Sequence, residues 1–277
     1  MARAYTVRSL EYFVAARRSQ TVTDVPCLFC QRKFTESPSK YERTREHVFG
    51  DWTTPYLKSP IGPGTQVRWK ATRAEQSQDS YSAYPAQQAV QGVCKDCNSG
   101  WLSEIQTAAK PFLLPALRGA KRRSFGDDAQ RALGIWAFRA ALLAGVKAGA
   151  AAIPSSRLHD FYEQRRPPGS TRIWLAASGQ RQLTYINNSV IKVFPKDSEP
   201  PERANAFASV LGIGHVAFCL VCWTDVKPNS SMRRIHEIFA KAVIPIWPVR
   251  GPVQWPPRNA FSQQGLDQLA GVFGAIE

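Results

Sequence analysis

Acidic side chains are in short supply. Only 21 Asp and Glu stand against 36 Lys and Arg in 277 residues, a net charge of +15. A surplus of that size favours an anionic partner such as nucleic acid, although it also serves solubility alone. The excess is shared: residues 1–126 carry +9 and the remainder +6, so both halves can meet a polyanion. Long apolar runs are also missing. The most apolar stretch, 132–146, is interrupted by Arg139 and falls short of the roughly 20 residues that a bilayer-crossing helix needs. No membrane role is expected. The opening residues have no apolar core ending in a small-residue cleavage site, so a secretory signal is not expected either. Residues 7–18, basic and periodic, read as an amphipathic helix. Histidine is scarce as well. The chain has four, and His47 is the only one in the first 150 residues. If the amino-terminal half is catalytic, the choice of imidazole base is forced.

Six cysteines fall into three Cys-x2-Cys pairs. With no secretory signal, reduced thiols in a cytoplasmic setting are the expectation. Cys27 with Cys30 and Cys94 with Cys97 suit one tetrahedral zinc, because each knuckle folds two sulfurs back onto the same ion at about 2.3 Å. The third pair, Cys219 and Cys222, lies among Val216, Phe218, Leu220 and Val221. On a strand its side chains point to opposite faces, so it reads as buried core rather than a knuckle.

Between the two knuckles lies Arg45-Glu46-His47-Val48-Phe49, and the second knuckle runs directly into Asn98. An acid-histidine pair followed by a four-cysteine zinc and an immediate asparagine resembles the HNH, or ββα-metal, endonucleases, especially the zinc-bearing phage resolvases. The string Cys94-Lys95-Asp96-Cys97-Asn98-Ser99-Gly100-Trp101, with its apolar helix and a Lys110-Pro111 break, is similar to bacterial and phage HNH proteins. The likeness covers about residues 27–115. It implies that His47 is the general base that takes a proton from water. It also implies that Glu46 and Asn98 hold one Mg²⁺ or Mn²⁺, and that the four-cysteine zinc is structural. The products would be 5′-phosphate and 3′-hydroxyl ends, and the substrate double-stranded DNA, with RNA or branched DNA as variants. Hard oxygens suit Mg²⁺ and sulfurs suit zinc, so the two sites would not exchange ions. Asp51 and Glu42 are alternative oxygen ligands, and Asp96 is expected to cap the following helix.

Two departures stand out. Gly50 replaces the family's usual proline, a small change at a turn, and 46 residues separate His47 from Cys94. An inserted arm at 53–92 is therefore expected, with a strand at 66–71 after Pro60-Ile61-Gly62-Pro63-Gly64. Arg68, Lys70 and Arg73 with Trp69, Tyr81 and Tyr84 make this arm a candidate nucleic-acid contact, joined by Arg45 and Lys95. A solvated hairpin that shields the zinc is the other reading.

In the second half, Lys121, Arg122 and Arg123 are a plausible phosphate contact. A helix is expected at 127–150, with Leu133, Trp136, Ala140 and Leu143 on one apolar face and Ile135, Phe138 and Leu142 on the other. A helix at 156–165 follows. Strands are expected at 172–177 and 182–186, paired across Ser178-Gly179, and at 207–211 and 215–224. A helix at 231–240 completes the list. His159, His215 and His236 read as packing histidines. The fold class is α+β: a zinc-stabilised HNH nuclease domain at 1–125, then a mainly antiparallel α+β domain at 126–277 that positions DNA. The rival function is a non-catalytic, zinc-containing nucleic-acid-binding protein.

Overall fold

The structure is a computed structural model that describes residues 25–37, 39–57, 66–69, 79–82, 88–119, 122–147, 153, 155–179, 184–191, 206–223 and 241–274. The expected helices at 7–18 and 231–240 lie outside these residues. Helices and antiparallel sheets are mixed, as the α+β expectation has it. No helix among the described residues is long and apolar enough to cross a membrane.

The amino-terminal part is a hairpin with a helix behind it. β1 (Arg43–His47) pairs antiparallel with β4 (Ala89–Cys94), Arg43 opposite Cys94 and His47 opposite Ala89, with a bulge between Thr44 and Arg45. β2 (Gln66–Trp69) and β3 (Asp79–Ser82) form a separate hairpin between them in sequence. The inserted segment therefore ends before residue 89 rather than at 92, because Ala89–Cys94 belongs to the sheet that carries His47. From Lys95 the chain turns helical, kinks at Gly100, and continues as α1 (Ser103–Leu117).

The break expected at Lys110-Pro111 does not occur, since α1 runs through both Pro111 and Pro115. A proline removes one ladder bond and crowds the preceding turn. Here Pro111 lies on the exposed side, while Leu113, Ala116 and Leu117 are buried. Packing of the buried side outweighs the local penalty.

β5 (Arg123–Phe125) leads into α2 (Asp127–Lys147), with Asp127 and Asp128 at its positive end. α3 (Ser155–Gln164) follows, and then the main sheet. Its strands are β6 (Thr171–Ser178), β7 (Thr184–Ile191), β8 (Ala206–Ile213), β9 (Val216–Trp223) and β10 (Val243–Trp247). Their spatial order is β10-β6-β9-β8-β7, all antiparallel. β11 (Val253–Trp255) pairs with β5, β12 (Ala260–Phe261) adds to β6 in parallel, and α4 (Gln263–Gly274) closes the described chain.

The expected pairing of the strands at 172–177 and 182–186 is corrected: β6 and β7 are separated by β9 and β8. The reason lies in β8 and β9, whose described residues are buried along their whole length and need cover on both faces and both edges. One face of the sheet, with Leu175, Leu211, Phe218 and Cys222, shares a core with α2. The other, with Trp174, Val210 and Cys219, shares one with Leu266 and Leu269 of α4. The first core also contains Cys27, Phe29, Val48, Phe49 and Leu113. Ring contacts continue it from Phe49 to Trp136 at 6.3 Å and from Trp136 to Phe218 at 5.4 Å. Core packing thus crosses 125/126, the expected boundary between the two joined domains.

Candidate metal centre and the hairpin beside it

The first knuckle is a tight turn. Cys27 N donates to Arg32 O at 2.9 Å, Gln31 N to Cys27 O at 3.1 Å, and Gln31 takes φ 60 to close the loop. Leu28 N donates to Gly92 O at 2.9 Å, which docks this loop on β4. In the second knuckle Cys94 is the helix N-cap, its sulfur accepting from Cys97 N at 3.5 Å. Asp96, expected as the cap, instead faces Lys40 at 3.9 Å on the surface. The Cys94 sulfur already occupies the capping position.

The sulfurs of Cys27, Cys30, Cys94 and Cys97 all lie within 4.8 Å of one another, and all four residues are buried. Cys30 and Cys94 sulfurs are 3.7 Å apart, close to the roughly 3.8 Å edge of a tetrahedron with 2.3 Å zinc–sulfur bonds. Hydrogen bonds from Cys30, Cys94 and Cys97 hold the Cys27 thiol far below its ordinary range, whereas the Cys27 sulfur pushes Cys94 and Cys97 up. Four thiols this close cannot all ionise unaided, and a divalent soft cation removes that conflict. The donor set fits zinc.

The cluster is braced by aromatic rings. Phe29 meets the edge of Trp101 at 5.2 Å, and Trp101 meets Phe161 of α3 at 5.4 Å. His159 Nδ1 lies 3.0 Å from Phe29 O, and His215 Nδ1 lies 3.2 Å from Ser178 O, so both act as packing histidines. His236 lies outside the described residues. Cys219 and Cys222 fall in different cores on opposite sheet faces, and burial raises both thiols. Among the described residues the only metal-suited group of three or more His, Cys, Asp or Glu is the four-cysteine cluster.

Asn98 follows the last of these cysteines and reaches β1. Its Nδ2 donates to Thr44 Oγ1 at 2.9 Å and to Arg45 O at 3.0 Å, and Thr44 Oγ1 in turn donates to Val93 O at 2.9 Å. With both amide hydrogens used on β1, the carboxamide is oriented and its Oδ1 takes no bond from the described residues. His47 ends the same strand, half-buried, and its imidazole has no hydrogen-bond partner among the described residues.

Glu46 is 3% exposed. Its Oε1 accepts from the Arg139 guanidinium and from Gln106 Nε2 at 3.4 Å, while Oε2 takes no bond from the described residues. Gln106 is itself fixed, because Trp52 Nε1 donates to its Oε1 at 2.8 Å. Gly50 is part of this packing. At φ +81 its missing Cβ would sit 2.0 Å from Gln106 Oε1, and proline cannot adopt that φ. The departure at position 50 is therefore larger than a small change at a turn.

Arg139 is the residue that sequence reading missed. It projects from α2, is wholly buried, and donates to His47 O at 2.7 Å and Val48 O at 3.0 Å as well as to Glu46. Burial pulls its guanidinium down to about 9, which still leaves it protonated at neutral pH. The signal was a lone charge inside the apolar run 132–146, since a cation buried there must be paired.

Of the other candidates, Arg45 and Lys95 are exposed, and Lys95 lies 3.5 Å from Glu42. Asp51 is exposed and accepts from Thr54 at 3.3 Å. Arg68 lies on β2, whereas Lys70, Arg73, Tyr84 and Lys121 lie outside the described residues. Arg123 sits over the Phe125 ring at 5.9 Å. No family model matches the chain, and no curated protein or solved structure does.

Proposed function

We propose that the chain is a metal-dependent endonuclease of the HNH type, acting on DNA, with zinc on Cys27, Cys30, Cys94 and Cys97 as a structural ion. The observation that carries this reading is the bonding of Asn98 to Thr44 and Arg45, on the strand that presents Glu46 and His47. These bonds tie the carboxamide, on the helical turn after β4, to the strand that carries the acid-histidine pair. Glu46 and Asn98 each have one polar atom engaged by the protein and one oxygen without a described partner. That is the donor chemistry Mg²⁺ or Mn²⁺ takes, with water filling the remaining positions. A divalent cation there would stabilise the phosphorane and the departing 3′ oxygen. His47, with an unoccupied imidazole, takes the proton from the attacking water. Arg45 on β1 and Lys95 just after β4, both exposed, meet phosphates of the bound strand.

A second reading, a zinc-containing nucleic-acid-binding protein without catalysis, draws on the depth of Glu46 and its pairing with a guanidinium. Nicking of supercoiled DNA with and without Mg²⁺ separates the two. The nuclease reading expects His47→Ala to lower the rate by about 10²–10⁴-fold, the usual worth of a general base, at unchanged zinc content. A variant that cuts at the wild-type rate removes His47 from the mechanism. Binding without cleavage under any divalent ion favours the second reading.

A further inference from the structure

We propose that Arg139 is a positioning residue for this nuclease site, so that the carboxy-terminal half completes the site instead of only delivering DNA to it. The role rests on the nuclease reading above. It begins with a side chain that packing alone does not explain. Arg139 is 0% exposed in the middle of α2, between Phe138 and Ala140, both also fully buried. An apolar pair in place of both Arg139 and Glu46 would hold α2 against β1 at least as well, because replacing a whole buried ion pair with apolar groups is often neutral or stabilising. What an apolar residue cannot do is orient a carboxylate.

The guanidinium fork serves three consecutive residues. One nitrogen donates to Val48 O at 3.0 Å, and the other donates to His47 O at 2.7 Å and to Glu46 Oε1. β1 ends at His47, and Val48 N still donates to Gln88 O at 2.7 Å, so these two carbonyls lie at the end of the paired hairpin. Arg139 donates to both carbonyls, and so fixes the backbone that carries the base. At Glu46 it shares Oε1 with Gln106, which is locked by Trp52. Both holds fall on the same oxygen, which sets the direction of the other. Outer partners of this kind orient metal-binding carboxylates, and their loss costs about 10–100-fold in metal affinity. Arg139 does not reach the reacting atoms, because it lies behind the strand and is wholly enclosed.

The test uses full-length, zinc-loaded protein and Mn²⁺ as the probe, with Mn²⁺ binding read by electron paramagnetic resonance beside plasmid nicking. Arg139→Lys keeps the charge but gathers its donors at one point, so it cannot span residues 46 to 48 as the planar fork does. We expect it to keep its zinc and a cooperative melt while Mn²⁺ binds about 10–100-fold more weakly. Nicking should recover in part at high Mn²⁺. Gln106→Ala, at a half-buried position, removes the second donor without stranding a charge. It should weaken Mn²⁺ binding in the same direction by less, and it decides the matter if Arg139→Lys does not fold. Wild-type Mn²⁺ affinity in the folded variants, in a protein that nicks DNA, would overturn the positioning role alone. A wild type that neither binds Mn²⁺ nor nicks DNA would overturn the nuclease reading, and the positioning role with it.

Discussion

Cys94 and Cys97 sit on a single helical turn in which the Cys97 amide donates to the Cys94 sulfur, and both join Cys27 and Cys30 in one buried cluster. Cys219 and Cys222 have the same spacing on an eight-residue strand, where they enter two different cores on opposite sheet faces. Spacing alone therefore does not define a metal site. A turn brings two sulfurs onto one centre, and a strand of period two sends residues three apart in opposite directions. The two regions also use burial differently. Around the knuckles the sulfurs perturb one another, whereas in the sheet burial alone raises the thiols and keeps them neutral.

Removing the metal should break this comparison most visibly. Structural zinc contributes on the order of 10–16 kcal/mol of apparent binding energy to the folds it holds. A strong chelator should abolish hydrogen-exchange protection in β1 and β4 while β8 and β9 keep theirs. Equal loss in both regions would mean that the knuckles and the sheet form one cooperative unit.

The next largest effect concerns the contact that joins the regions. Arg139→Met leaves Glu46 buried without its partner, which costs about 3–5 kcal/mol for a broken buried pair. Adding Glu46→Gln should restore part of that loss in urea unfolding. Additive losses would show that the two side chains are not coupled. The smallest effect belongs to the strand cysteines. Cys219→Ala and Cys222→Ala should each cost about 1 kcal/mol, the scale of deleting one buried heavy atom, with metal content unchanged.

The knuckles were legible because a turn and its ligands lie within four residues. The link from Asn98 to β1 was legible only in chain order, since its partner Thr44 is 54 residues away. Arg139 was read as an interruption of an apolar run. Its acceptor on His47 is 92 residues distant, and nothing in the local pattern names which acid a buried cation will meet. The strand order failed for a related reason. The residues of β6 and β7 suit a hairpin, but two wholly buried strands later in the chain take the places between them. Local propensity places an element and global burial decides its neighbours. The prolines of α1 show the same rule, since a break written in the sequence is overridden by the apolar side it would expose.

Elemental analysis of metal per chain is the most direct check on the claim that the knuckles, and not the strand pair, build the centre. The purified protein should hold one zinc, Cys94→Ser should lose it, and a variant with both Cys219→Ala and Cys222→Ala should keep it whole. Zinc that survives Cys94→Ser, or that falls when the strand cysteines are replaced, would contradict the assignment.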